Sequence, residues 1–183
     1  LKQAKALNVK NLIITKKKDY EILKQKTKNS KIKVFNDFTQ LDKIFKKKID
    51  YVMSSISGIQ GLEPTIKIIK FTKKIAIANK ESIICGWNLI QSQLNKHKTE
   101  FIPVDSEHFS IWYGLKNCKS KDLENIFLTA SGGPFYKTSL NKFKKIKVSD
   151  ALKHPNWKMG KKISTDSATM INKVYEVIEA RKL

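Results

Sequence analysis

KIAIANKESIICGWNLIQSQLNKHKTEFIPV, Lys74 to Val104, is the stretch on which the fold turns. Its first five residues, Lys74–Ala78, form a short apolar run. Glu81–Leu94 carries apolar residues at helical spacing, and FIPV at Phe101–Val104 is a second short apolar run. Two short runs separated by a helix-length segment read as strand, crossover helix and parallel strand. The same rhythm extends upstream. NLIIT (Asn11–Thr15), KIKVF (Lys31–Phe35) and DYVMS (Asp50–Ser54) read as strands, and Lys18–Lys28 and Gly61–Thr72 as helices, the latter with Leu62, Ile66 and Ile69 inward. Asn36 is placed to cap a helix bearing Phe38, Leu41, Ile44 and Phe45 on one face. Alternation of this kind predicts an α/β fold, a parallel sheet with helices on both faces.

Downstream of Val104 the rhythm changes. A helix at Glu107–Leu115, a strand at Asn125–Thr129, a Gly-Gly-Pro loop, a lysine-rich stretch and a last helix from about Asp166 to the end are expected. A domain boundary near Val104 follows, giving units 1–104 and 105–183.

Composition narrows the function. The 183 residues are 40% hydrophobic, enough for a core, so intrinsic disorder is excluded. No apolar run reaches the roughly 18–20 residues of a membrane helix, so no membrane partner is expected. The first ten residues hold no secretory apolar core, and the chain opens on Leu1 rather than Met, as expected of a segment of a longer protein. The net charge is +21, yet 36 of the 37 basic residues are lysine, Arg181 being the exception. Base and phosphate readers favour arginine for its bidentate fork. The lysine runs also lack interleaved stacking aromatics, so no nucleic-acid partner is expected. Cys85 and Cys118 lie far apart with no Cys-x-x-Cys spacing, which argues against a disulfide framework or structural zinc and for a cytoplasmic protein.

Ligands of an open parallel sheet gather beyond the carboxyl ends of its strands. Three polar clusters fall there: Asn79-Lys80-Glu81, Asp105-Ser106-Glu107-His108 and Ser131-Gly132-Gly133-Pro134. Asp105 and Glu107, at i and i+2 in extended chain, can share a hard cation such as magnesium or manganese, or simply cap a helix. In the last helix Asn172, Lys173 and Glu176 span an arc of about 100° and can hold a phosphate and a metal, or form an exposed face with an ordinary ion pair. Ser167, placed near that helix's start, adds a hydroxyl where anions collect. His154-Pro155-Asn156-Trp157-Lys158-Met159-Gly160 is a loop that either acts as a lid or packs on the core.

Four segments in order, IANKESIICG (Ile77–Gly86), PVDSEH (Pro103–His108), LTASGGPF (Leu128–Phe135) and ALKHPNWKMGKKISTDSATMINKVYEVIEA (Ala151–Ala180), resemble the 1-deoxy-D-xylulose 5-phosphate reductoisomerase family. The resemblance implies the C-terminal part of a Rossmann-like NADPH-binding domain, followed by an α+β catalytic domain. It implies NADPH- and metal-dependent conversion of that phospho-sugar to 2-C-methyl-D-erythritol 4-phosphate in isoprenoid precursor synthesis. By the same resemblance Asp105, Glu107 and Glu176 are the ligands of Mg2+ or Mn2+, with Co2+ a further candidate. Lys80, Ser106, Glu107, Ser131, His154, Ser167, Asn172, Lys173 and Glu176 would hold the substrate. Lys80, Glu107, His154 and Trp157 would be catalytic, and Asn79, Glu81 and Gly160 would touch NADPH. A homodimer is implied, cytoplasmic or, in a eukaryote, plastid-borne. The family's Gly-rich loop and C-terminal helical domain are expected outside this chain. Ala130, Val174-Tyr175 and a short 109–127 segment depart from the family pattern. A cofactor-free, metal-dependent phospho-sugar isomerase or lyase is the alternative that shares the metal and phosphate residues.

Overall fold

The computed structural model describes residues 1–182. In order, it contains α1 (Lys2–Ala6), β1 (Asn11–Ile13), α2 (Lys17–Lys26), β2 (Lys33–Phe35), α3 (Leu41–Ile44), β3 (Ile49–Ser54) and α4 (Leu62–Ile69). There follow β4 (Thr72–Ile77), α5 (Lys80–His97), β5 (Glu100–Pro103), α6 (Ser106–Leu115), α7 (Val148–Ala151), α8 (Lys161–Ala168) and α9 (Ile171–Ala180), with 3-10 turns at 59–61, 120–122 and 140–145.

All strand pairing among the described residues is parallel, so the chain is α/β as its alternation predicts. β1 pairs with β2, and separately β3, β4 and β5 form a sheet with β4 central. In that sheet Val52 lies opposite Ile75, and Ile75 opposite Phe101. Ile75 and Ile77 meet Ile69 of α4 and Ile83, Ile90 and Leu94 of α5, all buried. This single apolar layer is the core. The two helices approach closely because Gly86 carries no Cβ: one built there would lie 2.3 Å from Leu62 Cδ1.

Several expectations are corrected. α4 and α5 both lie on the Ile75 face, whereas Tyr51 and Met53 on the opposite face are half exposed, so this sheet is not covered equally on both sides. Asn36 caps nothing. Asp37 Oδ1 accepts the Thr39 N–H at 2.7 Å, turning the chain so that helix begins only at Leu41. α4 stops at Ile69 because Thr72, fully buried, already pairs with Ile49 in the sheet. The strand expected at Asn125–Thr129 is not formed: Phe127 is 85% exposed and no described segment pairs with it. The last helix is two. α8 begins earlier than expected, at Lys161, and ends where the Thr169 hydroxyl donates to the Thr165 carbonyl. Met170, in the left-handed region at φ 61°, then redirects the chain into α9.

Candidate functional site

The site is built where β4 and β5 end. Asn79 follows β4 and caps α5, its Oδ1 accepting the Ser82 N–H at 2.7 Å while its amide donates to the Ile56 and Gly58 carbonyls. The cap starts α5 at the next residue, Lys80, whose ammonium meets Asp105 just beyond β5. β5 ends at Pro103, and the following turn presents Asp105, Ser106 and Glu107 as α6 begins. α9 brings Asn172, Lys173 and Glu176 to the same place from the far end of the sequence.

Lys80 is the hub. Its ammonium pairs with Asp105, lies 3.6 Å from Glu176 Oε1 and donates to Asn172 Oδ1 at 2.9 Å. Asn172 in turn donates to Glu176 Oε1 at 2.5 Å. Lys173 pairs with Glu176, reaches the Thr129 carbonyl and lies 3.8 Å from Glu107 Oε1. Oxygens of Asp105, Glu107 and Glu176 all lie within 4.8 Å of one another. Three carboxylates this close repel, and here the two ammonium groups hold them together.

The electrostatics follow from that crowding. Burial and the adjacent Glu107 carboxyl push Asp105 up, against the pull of Lys80. Glu107 is held down to about 2, chiefly by its hydrogen bond with Asp105 and then by Ser106 and its own main chain, against the cost of burial. Burial lowers Lys80, but Asp105 and Glu176 outweigh it and its net shift is upward. Behind the cluster, burial pushes Glu179 up to about 8, with the Asp105 and Glu176 charges adding to the effect.

Two clefts adjoin at Lys80. The first, about 430 Å³, is lined by Lys80, Asp105, Ser106, Glu107, Ser131, His154, Trp157, Ser167, Asn172, Lys173 and Glu176, so every residue expected at metal or substrate meets there. The second, about 370 Å³, is lined by Asn79, Glu81 and Gly160, the three residues expected at the cofactor; Lys80, Ile163 and Asn172 border both clefts. His154 is oriented by its own loop. Nδ1 accepts the N–H groups of Asn156 and Trp157 at 3.2 and 3.0 Å, which leaves the proton of the neutral ring on Nε2, 3.0 Å from Ser131 Oγ. Trp157 stands at the rim, 65% exposed.

A family model of the 1-deoxy-D-xylulose 5-phosphate reductoisomerase C-terminal domain matches residues 101–183, and a second model, 1-deoxy-D-xylulose 5-phosphate reductoisomerase, matches residues 1–86. The chain belongs to the 1-deoxy-D-xylulose 5-phosphate reductoisomerase family. The reductoisomerase of Pelagibacter ubique is 62% identical over 185 residues, covering 100% of this chain and 48% of that protein. That of Wolbachia pipientis subsp. Culex pipiens is 46% identical, over 99% of this chain and 46% of its own length. Among solved structures, the Zymomonas mobilis reductoisomerase in complex with NADPH superposes with a TM-score of 0.80 at 34% identity, covering 98% of this chain and 46% of that one. A reductoisomerase in complex with NADPH, fosmidomycin and magnesium superposes with 0.84 at 31% identity, covering 98% and 47%. The chain therefore spans about half the length of the reductoisomerases it matches.

Two expectations for the site are corrected. Ser167 lies in the last turn of α8, not near a helix start, so no helix N-terminus draws an anion to it. It reaches the cleft because Gly133, at φ 64°, passes over its main chain: a Cβ there would lie 2.7 Å from the Ser167 carbonyl oxygen. Asn79 is 3% exposed and its amide is fully engaged by the fold, so its side chain shapes the second cleft without being free to grip a ligand. Sequence reasoning missed Lys162 and Glu179, and it placed His108 in the polar turn after β5 without giving it a role. Lys162 links Glu81 of α5 to Asp166 of α8 at 2.9 and 2.7 Å. Glu179 was readable as a second acid one turn beyond Glu176, on the same face of α9.

Proposed function

We propose that the protein carrying this chain is an NADPH- and divalent-metal-dependent reductoisomerase that converts 1-deoxy-D-xylulose 5-phosphate to 2-C-methyl-D-erythritol 4-phosphate in isoprenoid precursor synthesis. The observation that carries the proposal is the convergence of Asp105, Glu107 and Glu176 within 4.8 Å, beside a second cleft that shares Lys80 with the first. The donor set fits a hard divalent cation, being all oxygen from carboxylates, and ammonium groups already occupy the cationic positions between them. When bound, magnesium would supply Lewis-acid polarisation of the substrate's oxygens.

The chain's own residues do the rest. Asp105, Glu107 and Glu176 would hold the cation, and Lys80 and Lys173 beside them would place their ammonium groups for substrate oxygens in the same cleft. Ser131 Oγ and His154 Nε2, 3.0 Å apart, line the same cleft and are suited to a phosphate or a hydroxyl of the sugar. Ser106, Ser167 and Asn172 add neutral polar groups that orient the substrate without adding charge. Trp157, on the loop between His154 and Gly160, can fold over the rim and exclude water from the reacting atoms.

The second cleft suits the reducing end of NADPH. Gly160 leaves open space where a side chain would stand, and Glu81 and Lys162 line the wall that Lys80 shares with the substrate cleft. Residues 1–104 would then serve as part of the NADPH-binding domain and 105–183 as part of the catalytic domain. Manganese or cobalt in place of magnesium, a homodimer, and a cytoplasmic or plastid location complete the reading, supported by family membership. No helix of the described residues is long and apolar enough to cross a membrane. The cofactor-free alternative is not retained, because it leaves the second cleft without a role.

The test is NADPH oxidation by the protein carrying this chain, with 1-deoxy-D-xylulose 5-phosphate, with and without magnesium. Metal-dependent oxidation in the wild type, abolished in a folded Glu176→Gln variant, is the expected result. Turnover without NADPH consumption would restore the alternative.

A further inference from the structure

α9 buries its acids and exposes its apolar residues. Glu176 and Glu179 are 1% and 3% exposed, while Val174 and Val177 are 48% and 55% exposed. Glu176 earns its burial in the carboxylate cluster, with two lysines and an amide against it. Glu179 has no such company. Its Oε2 is buried without a well-aligned hydrogen bond and lies 3.1 Å from His108 Nδ1. An acid held in the interior without a hydrogen bond costs stability, so its retention needs an explanation in what it touches.

His108 supplies one. It is 2% exposed, sits on α6 immediately after Glu107, and its Nε2 lies 2.8 Å from the main-chain carbonyl of Glu176. A carbonyl only accepts, so Nε2 carries a proton and donates it. The ring's other nitrogen is left facing Glu179 Oε2 at 3.1 Å and Asp105 Oδ1 at 3.9 Å. One imidazole thus spans the turn that bears Asp105 and Glu107 and the helix that bears Glu176. Of the two carboxylates that the ring faces, Glu179 stands the nearer. The cavity behind it holds about 10 Å³, room for no more than a water molecule.

We propose that Glu179 is a positioning residue which, through His108, holds the Glu176 segment of α9 at metal-binding distance from Asp105 and Glu107. The inference rests on the metal reading above. Groups that orient ligands without touching the ion typically change its affinity by about 10- to 100-fold when removed.

The experiment measures Mn2+ binding by electron paramagnetic resonance on the protein carrying this chain, as wild type, Glu176→Gln, Glu179→Gln and Glu179→Met. The wild type is expected to bind one ion per chain and Glu176→Gln none. Glu179→Met should bind about 10- to 100-fold more weakly, with turnover regained at saturating Mn2+, which a general loss of folding would not give. Glu179→Gln, still able to donate an amide N–H to Nδ1, should stay within a few-fold of wild type. His108→Gln breaks the same link from the other side and serves if Glu179→Met does not fold. Wild-type affinity in a folded Glu179→Met or His108→Gln variant overturns the proposal. So does equal weakening in Glu179→Gln and Glu179→Met, which would make the carboxylate charge itself the requirement. Two ions in the wild type and one in Glu179→Gln would also overturn it, making Glu179 a ligand. Binding unaffected by Glu176→Gln would sink the metal reading itself, and this inference with it.

Discussion

Replacing Lys80 by Met removes the cation on which the carboxylate cluster depends when no metal is bound. The Lys80 side chain is 15% exposed and its ammonium pairs with Asp105, whose side chain is 16% exposed, while that of Glu176 beside it is 1% exposed. Two charges about 4 Å apart attract by roughly 4 kcal/mol at an effective dielectric constant near 20. Some of that is returned because the variant no longer desolvates an ammonium. Measured losses on removing one partner of a buried pair are about 3–5 kcal/mol, and the partial exposure here argues for the lower figure. At about 2–4 °C per kcal/mol for a chain of this size, the melting temperature in EDTA should fall by about 6–12 °C.

Magnesium should then offset part of the loss. At a hundred times its dissociation constant a ligand stabilises the native state by about 2.7 kcal/mol. The wild type's dissociation constant would already include the cost of parting Lys80 from the carboxylates, so at one magnesium concentration the Lys80→Met variant, with uncompensated carboxylates, would bind more tightly and gain more. The variant's melting temperature should therefore rise more with magnesium than the wild type's, narrowing the gap between them. Thermal unfolding followed by circular dichroism, in EDTA and in saturating magnesium, reads all four values. A variant as stable as wild type in EDTA, or a gap that magnesium leaves unchanged, would refute the claim that Lys80 holds a cation's place.

Gly133→Ala should cost about 1–2 kcal/mol from its left-handed backbone alone, and the clash with the Ser167 carbonyl should raise the substrate KM as well; urea melts and steady-state kinetics check both. Gly86→Ala should destabilise by about 1–3 kcal/mol through overpacking against Leu62 while leaving KM unchanged, since it touches only the helix pair. Lys162→Met tests the link between α5 and α8. Glu81 lies below its usual value because its bond with Lys162 outweighs burial, so this stabilisation is fully present above pH 4.5 and fades as the pH falls through the depressed value. The melting-temperature difference between wild type and Lys162→Met should accordingly shrink in acid, and a difference that persists or grows there would contradict the assignment. Trp157→Phe should keep the fold and change the KM for substrate more than that for NADPH, because the indole stands on the first cleft only.

What could be read from the sequence was what local chemistry decides. The strand–helix alternation through Lys74–Val104 specified the parallel sheet, and the turns after its strands pointed to Lys80, Asp105 and Glu107. What escaped was decided by contacts between distant segments. Asn125–Thr129 has the composition of a strand but meets no partner. The break at Met170 carries no Gly or Pro to announce it. Ser167 faces the cleft through a close approach of Gly133 from 34 positions upstream.

His108 and Glu179 show the same division at the site itself. Each reads alone as an ordinary helix residue, His108 on α6 and Glu179 on α9. Only the meeting of the two helices buries both and sets the imidazole between them. A carboxylate cluster spread over β5–α6 and α9 has no local spacing to fix its geometry, because no turn or helix repeat connects Asp105 to Glu176. The distance between those carboxylates must be set by packing, and the packing groups at that crossing are polar. An apolar contact there would hold the helices together with little directional preference. A buried ring that bonds the Glu176 carbonyl on one side and faces Glu179 on the other favours one angle as well, and precise angles are what an oxygen-ligated divalent cation, magnesium above all, requires of its ligands. The interior acid is thus intelligible as the cost of precision at a site assembled from two ends of the chain.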